Sequence, residues 1–259
     1  MSANDNRRRF LRNALTVVGA GLLAGCDQLS QTQWVPKVLG SAEHLSHAVQ
    51  RVLAPHAALA TEYPASDISP MFRPNGSTNP QTPNYLALAK NGFRDYKLAV
   101  GGLVAHPLSL SLDELRALPA RTQITRHDCV EGWSVIGQWT GVQLSRVLAL
   151  AQPSDNARYV VFRCFDRMQD GGLDGGTPYY ESIGMDDAYH AQTILAYALN
   201  GQPTPIANGA PLRVRIERQL GYKMAKYISG IEVVESLAGI GNGSGGYWED
   251  QGYAWYAGI

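Results

Sequence analysis

The sequence is short of the features that most readily identify a function. Its three cysteines, Cys26, Cys129 and Cys164, cannot build a disulfide framework, and no Cys-x-x-Cys pair exists to close a zinc or iron–sulfur site. Charge is sparse, at 17% of 259 residues, and 22 basic side chains balance 22 acidic ones. That balance leaves no electrostatic footprint for nucleic acid, and no DNA- or RNA-binding motif is present. The six histidines form no haem-attachment motif. What is plentiful is apolar residues (45%), with 27 Gly and 14 Pro, which describes a globular, loop-rich chain. Its length can bury a core in one large domain or two small ones.

The N-terminus reads as an address. Arg7-Arg8-x-Phe10-Leu11-Arg12 precedes an uncharged stretch from Ala14 to Gly25, too short for a spanning helix of ~20 residues and of the twin-arginine export type. The stretch ends Leu23-Ala24-Gly25-Cys26, which resembles a lipoprotein cleavage box with Cys26 as the lipidated residue. Asp27 resembles a signal for retention on the inner membrane. The expectation is a periplasmic protein anchored to the inner membrane; a soluble exported protein with an incidental Cys26 is the plainer alternative. Residues 1–25 hold four arginines and one aspartate, so 18 basic and 21 acidic side chains follow them.

Beyond the signal, Val35, Val38, Ala42, Leu45, Val49 and Val52 share one helical face, with Pro36 in the first turn and Pro55 ending the run. Tyr63 to Pro83 is rich in Pro, Gly, Ser and Asn, an ordered loop or a linker. Three segments are expected: the signal at 1–25, a helix and linker at 26–71, and one domain at 72–259. Ser111-Leu-Asp-Glu114 is a capping box for a short helix closed by Pro119. The patterns predict extended chain over 122–130, a helix over 141–151, a strand over 158–165, a helix over 186–200 and a strand over 227–235. Leu212, Val214 and Ile216 alternate with Arg213, Arg215 and Glu217, the pattern of a half-buried strand. Strands and helices without a strict βαβ rhythm indicate an α+β fold.

The chemistry concentrates in His127-Asp128-Cys129-Val130-Glu131-Gly132-Trp133-Ser134, at the end of an expected strand. On its residue type alone, Cys129 is a soft metal ligand, a nucleophile or a buried small hydrophobe. The wider pattern narrows this. Cys129-Val-Glu-Gly-Trp-Ser134 and Trp139-x-Gly141-Val142-x-Leu144 are followed by Asn200-Gly201-x-Pro203 and Asn208-Gly209-Ala210-Pro211-Leu212-Arg213. Gly221-Tyr222-Lys223-x-x-Lys226-Tyr227, Gly246-Tyr247-Trp248 and Gly252-Tyr253 complete the series. Together they resemble, in order and across 72–259, the sulfite oxidase superfamily of molybdopterin enzymes, and within it the bacterial methionine-sulfoxide reductase catalytic subunits.

The resemblance implies a sulfite oxidase-like molybdopterin-binding fold and a Mo-molybdopterin cofactor, with Cys129 as the metal's protein ligand and Glu131 lining the metal site. Arg213 and Lys223 would approach the cofactor and its phosphate, with Lys226 in the same segment. Asn208 would read pterin heteroatoms, Asn75 would begin a pterin-contacting loop in competition with Asn79, and Tyr247 and Trp248 would close the pocket. Cys164 stands where the reductase branch has a threonine at the cofactor, and with Gly132 marks a departure that leaves the substrate open. Sulfite oxidases surround the metal with arginines; here Arg126 alone lies near, which weakens sulfite as substrate. The implied activity is two-electron oxygen-atom transfer, on sulfoxide-type substrates first and on sulfite or another small oxoanion as the alternative. A monomeric catalytic subunit is expected to exchange electrons with a separate redox partner such as a membrane haem protein. A binding-module lipoprotein is the non-enzymatic alternative.

Overall fold

Strand-forming residues dominate the chain from Tyr96 onward, and they are arranged in two five-stranded sheets. In this computed structural model, residues 49, 58–168 and 176–259 are described. The export signal, Cys26 and, apart from Val49, the helix expected over 35–52 lie outside the described residues. The chain divides into units 1–53 and 54–259, and the architecture is that of the second unit.

One sheet runs in the order β2 (Leu108–Ser111), β1 (Lys97–Gly102), β10 (Ile228–Val234), β5 (Tyr159–Met168) and β6 (Thr177–Gly184). Only β1 and β10 are parallel; the other neighbours are antiparallel. The second sheet is antiparallel throughout: β3 (Ala120–Cys129), β4 (Trp133–Gln143), β7 (Ile194–Leu199) and β8 (Gln202–Pro203), with β9 (Arg213–Arg215) also on β7. Among the described residues of this unit there are four short α-helices: α1 (Pro83–Lys90), α2 (Leu112–Ala117), α3 (Leu144–Ala151) and α4 (Met185–Ala188). This is the mixed α and β organisation expected from the sequence.

The main core gathers Leu98 and Val100 of β1, Val160 and Phe162 of β5, Ile231 and Val233 of β10, the inner face of α3, and Leu212, Val214 and Ile216. A smaller core of Phe72, Val135, Trp139, Ile194, Ala196 and Leu199 lies in the second sheet. Residues 60–72 run along that sheet. The Tyr63 amide donates to the Ile124 carbonyl at 2.9 Å, and the Ser69 amide to that of Ile136 at 3.0 Å. The proline-rich stretch is thus ordered at its start by backbone hydrogen bonds, and Phe72 sets its ring edge-on to Trp139. The capping box forms as expected: the Glu114 amide donates to Ser111 Oγ at 3.2 Å, and Glu114 Oε2 accepts from the Ser111 amide at 2.7 Å.

Three readings of the pattern are corrected. The helix expected over 186–200 is only α4; Ile194–Leu199 is a strand, because β4 and β9 flank it and bury Ile194, Leu195 and Ala196. A short apolar run covered on both faces shows no period that separates helix from strand. The helix expected over 141–151 starts at Leu144, after β4. The strand around Arg213 is not half-buried: Arg213 and Arg215 are fully buried and stand on the Trp139 ring, 4.9 and 5.1 Å from its centroid.

Candidate active site: a cleft beside Cys129

The β3–β4 hairpin ends at Cys129, and the turn that follows presents the thiol at a cleft of about 140 Å³. Asn75 and Gly76 line one side, with Cys129, Val130 and Glu131 on the turn and Asp166 and Met168 at the end of β5. Tyr179, Tyr222, Met224, Trp248 and Tyr253 make the rest of the wall largely aromatic and apolar, and Lys226 supplies a cation. Burial pushes the Cys129 thiol up, against the Glu131 amide, which donates towards the sulfur and favours a thiolate. Glu131 stands at the rim, its carboxylate accepting from Trp133 Nε1 at 2.8 Å and lying 3.9 Å from Arg73.

Two cations on this side of the molecule are buried without a carboxylate partner among the described residues. Arg213 donates only to backbone carbonyls, Asn208 at 2.9 Å and Met224 at 3.3 Å, and its Nε has no partner. Lys226 holds the carbonyls of Asn75 at 2.5 Å, of Ala207 at 3.1 Å and of Ser77. Gly209 makes their approach possible: with φ +112° it lies where a Cβ would be 3.1 Å from Cβ of both Arg213 and Lys226. Burial, then the neighbouring Arg215, lowers Arg213 to about 9; burial, then Arg213, lowers Lys226 to about 7. Uncompensated buried cations cost several kcal/mol each, on the order expected for desolvated charge. An anion brought into this region relieves that cost.

Behind the turn, Arg215 pairs with Glu217 at 2.7 Å and donates to His127 Nδ1 at 2.9 Å. A guanidinium can only donate, so Nδ1 is the acceptor and the imidazole proton resides on Nε2. Burial, reinforced by Arg215, holds His127 well below its usual range and therefore neutral. Gly221 packs so closely on this ring that a Cβ would collide with it, and the contact sets Gly221 and Tyr222 in the cleft wall.

The structure brings Asn75, Cys129, Glu131, Lys226 and Trp248 together in the cleft, while Asn208, Cys164, Arg213, Lys223 and Tyr247 are not among its lining residues. Asn208 is buried behind it, donating from Nδ2 to the Phe72 carbonyl at 3.2 Å. Cys164 is enclosed in β5 opposite Ile228, where burial pushes its thiol well up. Lys223 is fully buried between Glu181, at 2.5 Å, and Glu249. Those carboxylates compensate its charge and tie the C-terminal segment to β6, so Lys226 is the lysine that faces the cleft. Asn79 is not among the lining residues. Trp248 lines the cleft, whereas Tyr247 packs in the main core.

Asp166, Met168, Tyr179 and Met224 were not singled out by the sequence. The nearest signal was Cys164 earlier on β5, but a register irregularity between Arg163 and Arg167 interrupts the alternation that would have extended it to Asp166 and Met168.

Among the described residues, no group of three or more His, Cys, Asp or Glu is placed to hold a metal ion. A metal that brings most of its ligands on an organic group suits a site with the single thiol Cys129, and an anionic group suits Arg213 and Lys226. The residues present fit a phosphate-bearing metal cofactor.

Residues 85–238 match the family model of the oxidoreductase molybdopterin binding domain. The chain belongs to this family: it is a molybdopterin-dependent oxidoreductase, and its cofactor is Mo-molybdopterin. Among its relatives is the putative protein-methionine-sulfoxide reductase subunit YedZ1 of Azospira oryzae, 38% identical over 252 residues, or 97% of this chain and 87% of that protein. The protein-methionine-sulfoxide reductase catalytic subunit MsrP of Xanthomonas axonopodis is 41% identical over 147 residues, 55% of this chain and 46% of that one. The chain thus matches about half the length of that second relative. A solved structure, the sulfane dehydrogenase SoxCD from Paracoccus pantotrophus, aligns with a TM-score of 0.48 at 20% identity, covering 55% of this chain and 39% of the other.

Proposed function

We propose that this chain is the catalytic subunit of an exported enzyme that reduces sulfoxide-type substrates by two-electron oxygen-atom transfer, with Cys129 as the protein ligand of molybdenum. The observation that carries the reading is the position of Cys129 in a cleft beside two buried cations that have no carboxylate partner among the described residues. When bound, the cofactor supplies the redox chemistry, and the chain supplies orientation and electrostatics. Arg213 and Lys226 offer positive charge to the phosphate, and Asn75, whose buried Oδ1 has no partner, offers an acceptor to the pterin. Binding at Cys129 displaces the thiol proton that burial favours.

The aromatic and thioether lining suits an uncharged, polarisable substrate such as a sulfoxide. Among the described residues no arginine lines the cleft and Arg73 stands only at its rim beside Glu131, which makes a small dianion such as sulfite the less favoured substrate. Both relatives are named as subunits, in keeping with electron delivery by a separate redox partner, for which a membrane haem protein is the proposed class.

Elemental analysis of protein from a cofactor-competent host is expected to give about one molybdenum per chain. Cys129→Ser is expected to lose sulfoxide reduction by three orders of magnitude or more while keeping the fold; an active serine variant overturns the ligand assignment. Export and anchoring rest on the twin-arginine pattern and Cys26. Cys26→Ser should move the protein from the membrane to the soluble periplasmic fraction, and unchanged membrane attachment rejects the lipid anchor.

A further inference from the structure

One side chain in the cleft is not used by any of these roles. Asp166 is 4% exposed, lines the cleft with Cys129, and leaves Oδ1 without a partner while Oδ2 accepts from Ser77 Oγ at 2.6 Å. An isolated buried carboxylate is costly unless it is paired or protonated. Lys226, the nearest cation acting on it, spends its donors on the carbonyls of Asn75, Ser77 and Ala207, and no ion pair to Asp166 forms.

We propose that Asp166 holds the proton that this cleft delivers to its oxygen-bearing substrate, which makes it a residue of the reaction itself. The proposal rests on the sulfoxide reading above. Reduction of a sulfoxide breaks the sulfur–oxygen bond, reduces the sulfur by two electrons and releases the oxygen as water. The electrons come from the one-electron redox partner, and the oxygen must gain two protons. A largely aromatic, thioether-lined cleft has few groups able to carry them.

The surroundings hold Asp166 in a range where it can give up and regain a proton. Burial raises its carboxyl to about 6, against the Ser77 hydroxyl and the positive charge of Lys226. The other titratable groups that face it are Tyr85 of α1, Cys164 on its own strand, Tyr179 of β6 and Tyr227 beside Lys226. Burial raises all four away from neutrality, so none of them ionises in the same interval; Lys226, lowered to about 7, does so unless the cofactor phosphate holds it charged, which is why the holoenzyme is tested. Below about pH 6 the acid is present and the cleft is loaded; above it the proton is lost.

The test uses holoenzyme, a chemical one-electron donor and an aryl methyl sulfoxide. Wild-type turnover is expected to fall at least tenfold as pH rises from 5 to 8. Asp166→Asn, nearly isosteric and still able to accept from Ser77, should be at least tenfold slower at pH 5, insensitive to pH over this interval, and unchanged in molybdenum content. Infrared difference spectra should show a carboxylic-acid carbonyl band that titrates in wild type and is missing in Asp166→Asn. Ser77→Ala removes the hydrogen bond that favours the carboxylate, so band and activity midpoints should both move to higher pH. A wild-type pH profile in Asp166→Asn, or no band assignable to Asp166, overturns the proposal. If the band titrates but holoenzyme reduces no sulfoxide, the sulfoxide reading falls and the proton site stands.

Discussion

Lys226 shows how far one buried side chain can link cofactor and proton binding. Its folded value of about 7 lies below the 10.5 of an ordinary lysine. In the cofactor-free protein, the resulting loss of stability is full below pH 7 and disappears as pH rises through that interval, because the unfolded chain then binds the extra proton. A phosphate beside the ammonium reverses the shift. Cofactor binding at pH 8 is therefore expected to draw up to one proton into the protein. Calorimetry in buffers of different ionisation enthalpy, compared between wild type and Lys226→Met so that the proton released at Cys129 cancels, measures this, and equal slopes reject a charged Lys226 at the phosphate. Lys226 and Lys223 are three residues apart and both buried, and the sequence assigned the cofactor role to Lys223. Glu181 and Glu249 separate the two, at 42 and 26 residues from Lys223 along the chain, and no local pattern announces such partners.

At the scale of elements, the second sheet determines where the cations go. The β9 register puts Arg213 opposite Ala196 and Arg215 opposite Ile194, on the face that holds Trp139, while Leu212, Val214 and Ile216 enter the main core. The alternation was legible; the cover over its polar side was not, because that cover comes from residues far away, such as Phe72. The Asn208-Gly209 turn then returns the chain beside Lys226. Gly209→Ala introduces a side chain at φ +112° and crowds Arg213 and Lys226. It should destabilise the protein by ~1–3 kcal/mol, the order of a strained backbone site, and lower retained molybdenum. Denaturant unfolding and elemental analysis measure both, and a variant with wild-type values would mean that the close approach is dispensable.

Across the whole molecule, the cleft is closed by chain segments distant in sequence. The 246–253 segment contributes Trp248 and Tyr253 to its wall and is fastened to β6 through Glu249, Lys223 and Glu181. Burial alone would discharge Lys223, but the two carboxylates hold the ammonium above its ordinary range. Lys223→Met leaves two buried carboxylates facing each other without a cation. The expected loss is ~3–5 kcal/mol, the range for breaking a buried ion pair by removing one partner. Thermal unfolding of the variant checks this, and a loss below 1 kcal/mol would show that the segment is held by its aromatic contacts.

The amino-acid sequence by itself determined four of the ten described strands (β3, β5, β9 and β10), the α2 capping box and the importance of Cys129, because these depend on local alternation, caps and a contiguous motif. Of the cleft, it made Cys129, Glu131 and Asn75 legible. Only the tertiary structure decided that Ile194–Leu199 is a strand, that Lys226 rather than Lys223 faces the cleft, and that Asp166 joins it. Each of these is decided by neighbours brought together from remote parts of the chain: β4 and β9 for the strand, Glu181 and Glu249 for the lysine, Ser77 for the aspartate. Burial then sets which of the charges are compensated, and that is a property of the packed molecule.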